Sequence, residues 1–335
     1  MQNCVRYNNN ELTGNVWKCI NSIHDIFIEG YVEWQVKRMH SYLRAIGFSN
    51  ISNRMELNQL IEKITENSTK KSTVKLNNTV DFAEISAEYA EGMGITIRGE
   101  YDENNMFHME HYFPYLIGQS ISTREEVGIN KRVDTEAYTG MCDDYRLGVS
   151  LIFYLQNVVD FLEKKNQNMP LNTSFSITLA ALSMEGRILL PIEMDEVQVR
   201  NISAETKHRN NLIAEAKKGN QDAIDDLTID DIDMFAMVSR RAKKEDIYAI
   251  VDTCFIPFGS ESDNYSVTAT IVDSNLTINS FTKEEIYDLQ LSCNDINFRL
   301  CINKQDLLGE PMAGRRFKGN IWMQGSISFS EQIKD

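Results

Sequence analysis

From Ile247 to its end the chain is a succession of β-branched and aromatic runs: AIVDTCFI, YSVTATIVDSNLTI, EIYDLQLSC, INFRLCI and RRFKGNIWMQGSISF. Such residues suit a pleated, half-buried surface. Only NKQDLLGEPMAG, between the last two runs, reads as a short helix or turn followed by a Pro/Gly loop. Five short strands with one small helix suggest a small closed or half-closed barrel of the OB or SH3 sort, with a sandwich fragment as the alternative.

The segment ahead of it is of a different kind. NRMELNQLIEKI, from Asn53, carries apolar residues at helical spacing, with Ser52 or Asn53 placed to cap it. DFAEISAEYA, Ile95 to Tyr101 and Met106 to Tyr115 read as strands, and Asp102-Glu103-Asn104-Asn105 as the hairpin turn between the last two. Tyr145 to Glu163 has Val149, Ile152, Leu155, Val159 and Leu162 at three-to-four spacing and predicts a largely buried helix. SFSITLAAL and RILLPI predict two strands around a Ser183-Met184-Glu185-Gly186 turn. Residues 200–246 switch to helical patterning, with one helix ending at Gly219, then a short second and a third. From Asp222 to Asp233 this stretch holds six acidic residues and no basic one, a pattern that usually marks a solvated helix face.

The expected architecture is therefore α+β. An antiparallel sheet with packed helices spans 39–195, a helical linker or subdomain 196–246, and a small C-terminal β-barrel, OB- or SH3-like, 247–335. Residues 1–38 read as a leader or appended N-terminal segment, with four basic and four acidic side chains. Met39 opens a better patterned stretch, which motivates the hypothesis that it is the natural start; an intact mass including residues 1–38, from protein made by its own gene, would refute this.

Several of these segments resemble a bacterial family of unknown function, domain of unknown function family 3881, of anaerobic Gram-positive bacteria. The residues that carry the likeness are Met39 to Ser49 (MHSYLRAIGFS), Ile97 to Tyr101 (IRGEY), Cys142-Asp143-Asp144 and Gly148 to Asn157 (GVSLIFYLQN). Cys301 to Pro311 (CINKQDLLGEP) and Arg315 to Gly319 (RRFKG) carry the rest. The likeness runs from residue 39 to about 329. The resemblance implies no activity, cofactor or partner.

The formal net charge is −15 (34 basic against 49 acidic residues), which argues against general affinity for nucleic acid or anionic membrane. There is no secretory signal, and the longest apolar stretch, Leu147 to Leu162, is interrupted by Gln156, Asn157 and Asp160. Six scattered cysteines form no CxxC pair and read as reduced thiols of a cytoplasmic protein. GxxxxGK[ST], GxGxxG, HExxH, GxSxG and the EF-hand loop are all missing, and no cofactor or metal is expected.

What remains is a short set of candidates. His108 and His111 lie three apart on a strand, so they should diverge. Cys142-Asp143-Asp144 stands where carboxylates would cap the expected helix. Arg315-Arg316-Phe317-Lys318 with Trp322 is the one basic and aromatic cluster on the expected barrel. Three functions follow in order of preference. The first is a non-catalytic cytoplasmic binding or scaffolding protein whose partner is another protein. The second is an enzyme with an unfamiliar site in the cleft between the α+β domain and the barrel, with Asp143, Asp144, Arg146, Arg187 and His108 as candidates. The third is single-stranded nucleic-acid binding through Arg316, Lys318 and Trp322. The first rests on ionisable side chains being spread over the exterior, with none gathered in a dry hollow.

Overall fold

The computed structural model describes residues 41–51, 53–77, 79–132, 137–144, 146–147, 149–167, 175–192, 196–259 and 262–329, without the side chains of 175, 196–199, 201–203 and 329. The expected leader, 1–38, lies outside the described residues. The protein is mixed α+β with sheet predominating.

The first sheet is antiparallel, in the order β1 (Lys70–Lys75), β2 (Asp81–Ala90), β3 (Met93–Tyr101), β4 (Phe107–Leu116). Helix α1 (Arg54–Glu66) packs on β2 and β3 through Leu57, Leu60 and Ile64. Asn53 caps α1 by accepting the amide of Glu56 at 2.9 Å. The β3–β4 hairpin turns where Asp102 accepts the amides of Asn104 and Met106 through its side chain. Alternation gives the sheet two unlike faces. Ala83, Ile85, Ala87, Ile95 and Ile97 share one, and Glu84, Ser86, Thr96 and Arg98 share the other.

The second sheet has ten strands and contains a closed barrel of five. Ahead of the barrel it includes β5 (Gly128–Lys131), β6 (Tyr138–Asp144) and β7 (Val149–Leu155), followed by helix α2 (Val158–Asn166). The barrel begins with β8 (Phe175–Leu189). Then come helices α3 (Glu196–Lys217) and α4 (Gln221–Arg241), and the edge strand β9 (Cys254–Pro257). The strands β10 (Asn264–Ile278), β11 (Glu285–Cys293), β12 (Ile296–Asn303), β13 (Leu307–Leu308) and β14 (Arg316–Phe329) complete the chain. The ring runs β8-β12-β11-β10-β14 and back to β8, with only the β8–β12 pair parallel, and β9 and β13 also lie outside it.

Three expectations are corrected. The predicted helix from Tyr145 to Glu163 is a strand followed by a shorter helix. Leu151, Phe153 and Leu155 point into the core at strand period, while Tyr154 is buried on the opposite face. A segment buried on both faces is apolar at every position, so its periodicity does not separate helix from strand. The predicted turn at Ser183–Gly186 is likewise absent, because β8 runs straight through it. Gly186 stands opposite Gly319, and the ring of Phe317 lies where a β-carbon on either would sit. The glycine is there for close approach rather than for reversal. The predicted second and third helices after Gly219 are the single helix α4, and Gly219 itself is the left-handed residue that ends α3 (φ 84°).

No helix among the described residues is long and apolar enough to cross a membrane. Closure by β8 has a consequence for the 247–335 segment. Residues Ile177, Leu179, Ala181 and Leu182 of β8 are fully buried, and its backbone pairs with both β12 and β14. A fragment of 247–335 is expected to show no cooperative thermal transition in circular dichroism. A sharp melt from that fragment would contradict a barrel that depends on β8.

Candidate functional site: a polar pocket on the inner face of the first sheet

Arg98 sits on β3 beside a bulge between Arg98 and Gly99. Its guanidinium is wholly buried. Nε donates to Glu84 Oε1 at 2.8 Å, and Nη1 to the Tyr154 hydroxyl at 2.8 Å. Nη2 donates to the carbonyls of Leu155 and Gln156 at 3.0 and 2.8 Å. Its plane also lies 4.6 Å from the Phe113 ring centroid. Tyr154 is the hub: Arg132 lies 5.8 Å from its ring and the Trp322 ring 5.3 Å away. Arg132 Nη2 and Trp322 Nε1 both donate to Asp263 Oδ2, at 2.6 and 2.9 Å. Ionisable side chains therefore do gather away from solvent, contrary to the expectation of dispersal. The driving factor is the polar inner face of the first sheet, which folds onto β7 and β14 and takes its charges with it.

The hydrogen-bond logic fixes a tautomer. The Tyr154 hydroxyl accepts from Arg98, which has no lone pair to return, so its own proton goes to His111 Nε2, 2.9 Å away. His111 then carries its hydrogen on Nδ1, and that buried atom has no partner. Burial, with Arg98 and Arg132 adding to it, pushes the His111 pKa down to about 3. Burial pushes the Tyr154 hydroxyl up to about 12. Burial also raises the Glu84 carboxyl above its ordinary value, against the pull of Arg98.

Next to this network opens a pocket of about 210 Å³ between the first sheet, α2 and β14. Lys70, Glu84, Glu88 and Asp160 supply its charges. The side chains of Ser72, Ser86, Thr96, Tyr115, Gln156 and Ser326 supply hydroxyls and an amide. Ser86 and Thr96 are bonded to each other at 2.8 Å, and Glu88 accepts the amide of Gly92.

The sequence-based candidates do not converge. Asp144 and Arg146 form a close pair, 2.6 Å apart, and Thr123 donates to the same carboxylate. Burial works against the charged Asp144, yet the bonds from Arg146 and Thr123 win and hold its pKa below the ordinary value. Arg146 also donates to the carbonyls of Ser122 and Asp295, so the pair fastens a loop. Asp143, the next residue on β6, is exposed and bonded to Ser150. The expectation that these carboxylates cap a helix falls with the helix, since both stand at the end of a strand. His108 is exposed and meets Asp102 at 3.1 Å, while His111 is buried on Tyr154, so the two do not meet. The bulge at Glu110 nonetheless sets them opposite Glu100 and Arg98, on one face of the sheet where simple alternation predicts two.

Arg187 lies on the barrel with Lys318, Glu185 and Asp306 around an open hollow of about 320 Å³. Burial lowers the Lys318 pKa, Arg187 adding to the effect, and its Nζ rests 3.7 Å from the Tyr248 ring centroid. Arg316 is buried and donates to the carbonyls of Leu190, Tyr248, Val251 and Asp252. Trp322 is 1% exposed and has no face open to a base. Of the three barrel residues proposed for nucleic acid, Arg316 and Trp322 are buried, while Lys318 is half-buried at the hollow with its ammonium over Tyr248.

Glu84, Arg98, His111 and Tyr154 were missed as a group. One signal was available: Arg98 is the single charge in MGITIRG, seven successive buried positions of β3. It also shares a face with Thr96, two positions earlier.

The buried imidazole makes a pH prediction. Folded, His111 stays neutral down to about pH 3; unfolded, it takes a proton below about 6.5. The unfolded state therefore binds more protons, and stability falls as pH drops from 6.5 toward 3. His111→Gln, which keeps an acceptor for Tyr154, should lose about 2 kcal/mol less than the parent between pH 7 and 5 in urea unfolding. Identical losses would mean that His111 titrates normally.

Among known proteins, no curated protein and no solved structure matches the chain. One protein-family model does, described as "Domain of unknown function, E. rectale Gene description (DUF3881)", over residues 43–325. That match takes in the first sheet, the buried arginine network, the helical hairpin and the barrel, and the chain belongs to this family of unknown function.

Proposed function

We infer that this protein is a non-catalytic binding protein whose pocket takes a small polar ligand carrying a positively charged amino group. The observation that carries it is the inner face of the first sheet. A covered sheet face is ordinarily apolar, and burying polar groups costs free energy unless they find partners. Here that face keeps carboxylates and hydroxyls around an open volume. With Glu84 taken up by Arg98, Glu88 and Asp160 still outnumber Lys70, so the lining favours a cation. A volume of about 210 Å³ is below the usual range for drug-sized ligands, which points to something of the size of an amino acid or a short diamine.

The absence of chemistry is supported by the state of the reactive groups. The thiols of Cys142 and Cys293 are buried and pushed up to about 12. His111 is neutral and faces Tyr154. An enzymatic use of the same pocket ranks second and rests on Glu84, whose carboxyl is raised by burial but engaged by Arg98. The free thiols of Cys142, Cys254, Cys293 and Cys301 support a cytoplasmic setting. We read the five-strand closure as a barrel of the OB or SH3 kind serving as scaffold.

Thermal unfolding in the presence of lysine, putrescine or glucosamine, with succinate as control, tests the assignment. Ligand at about a hundredfold its Kd adds about 2.7 kcal/mol, a melting shift of a few degrees. At least one amine should produce that shift, succinate none, and Glu88→Gln with Asp160→Asn should abolish it. No shift with any amine, or a shift that survives the double variant, overturns the reading.

A further inference from the structure

Helix α4 rests on α3 through Ala223 and Leu227 alone among its buried residues, against Ile213 and Ala216. Asp231 completes that contact by pairing with Arg209 of α3 at 2.9 Å. At 100° per residue these positions define one side of α4. The opposite side carries Ile229, Ile232 and Ala236, with Phe235 on its shoulder. Ile229, Ile232 and Phe235 are more than half exposed, and Phe235, at 75%, is the most exposed large apolar residue among those described. A solvated helix normally turns polar residues to that side, so this stripe lacks a partner among the described residues.

The charges on α4 are sorted by sign along its length. Asp222, Asp225, Asp226, Asp230, Asp231 and Asp233 occupy the first half with no base among them. Arg240, Arg241, Lys243 and Lys244 follow Phe235 with no acid among them. Asp225 lies on the line of the outward stripe, and Lys243, in the turn that follows the last helical residue Arg241, comes eighteen residues after it. Midway between them in the sequence is Met234, next to Phe235. An antiparallel copy of the same helix, turned about that midpoint, therefore sets Asp225 against Lys243 at both ends and brings the two Phe235 rings together at the centre. A two-fold interface of this kind is self-complementary by construction. A parallel pairing would set acid against acid and base against base.

We propose that α4 is a homodimerisation surface on which two copies of this chain pack antiparallel through Ile229, Ile232 and Phe235, the acidic half of each helix facing the basic end of the other. The charge pattern names the occupant: the surface that complements an acidic-then-basic helix is the same helix reversed. Apolar burial supplies affinity, and the ionic ends set direction. The surface is separate from the pocket on the first sheet, so either assignment can fail without the other.

Sedimentation equilibrium and light scattering on the full chain test this, with two charge-reversal variants. One carries Asp222→Lys, Asp225→Lys and Asp226→Lys; the other carries Arg240→Glu, Lys243→Glu and Lys244→Glu. The parent should run at twice the chain mass at tens of micromolar. Each variant alone should run as a monomer, its self-association weakened about a hundredfold or more by like charges at both ends. An equimolar mixture should recover the dimer, because the lysine half of one meets the glutamate end of the other. That recovery also proves both variants folded. Ile232→Glu should give a monomer with an unchanged circular dichroism spectrum. A monomeric parent, or variants that remain dimeric, overturns the proposal. A mixture that stays monomeric overturns it too, and leaves α4 as a site for a different protein.

Discussion

The join between the first sheet and the barrel depends on Arg98. A four-stranded sheet with one helix on its back has little core of its own, and its inner face is polar. Arg98 converts that face into an attachment. It takes Glu84 from the neighbouring strand with Nε, Tyr154 from β7 with Nη1, and the backbone carbonyls of Leu155 and Gln156 with Nη2. The two carbonyls belong to the end of β7, where the chain leaves the sheet to start α2 and has no strand partner for them on that side. A buried guanidinium is expensive to desolvate, and it is tolerated only when its donors are satisfied. Here they are, and Glu84 balances the charge. Removing the arginine would leave a carboxylate, a phenol and two carbonyls without their donor at once.

Arginine is the residue for this task because its donors form a rigid planar fork. The chain uses the same device twice more. Arg299 on β12 pairs with both oxygens of Asp288 and donates to the carbonyls of Glu91 and Ile117. Those two carbonyls lie at one end of the first sheet, just after β2 and just after β4. Arg316 on β14 donates to Leu190, ahead of α3, and to Tyr248, Val251 and Asp252, behind α4. It therefore ties both roots of the helical hairpin to the barrel. Three joints, two at the first sheet and one at the helical hairpin, are each fastened by one buried guanidinium aimed at main-chain oxygens.

Local structure was legible in the sequence where its cause was local. The Asp102 turn, the end of α3 at Gly219 and the strands β10, β11, β12 and β14 follow from neighbouring residues. What failed needed knowledge of the other side of the sheet. Val149 to Leu155 reads as either element because its apolar run ends in Phe153, Tyr154 and Leu155, buried on both faces of the strand. Gly186 reads as a turn unless Phe317, far along the chain, is known to lie over it. The arginine network had the same obstacle: Tyr154 stands 56 residues beyond Arg98, and nothing in the spacing predicts the meeting. Asp143, Asp144 and Arg146 attracted notice because they are adjacent in sequence, and adjacency gave a loop fastening.

The net charge of −15 belongs to the exterior. Arg98, Arg299 and Arg316 are buried, and the side chains of Arg132 and Arg146 are no more than a quarter exposed on Asp263 and Asp144. Arg98 and Arg299 likewise take Glu84 and Asp288 in with them. Burial therefore removes cations and anions almost in step, and the surface keeps the excess of acid that the composition indicates. Such an exterior repels phosphate backbones at a distance. It also raises the cost of bringing two copies together except where cations remain in a block, and the end of α4 is one such place. Packing its bases against the acids of a second copy neutralises both in one contact, which a partner of uniform charge would not do.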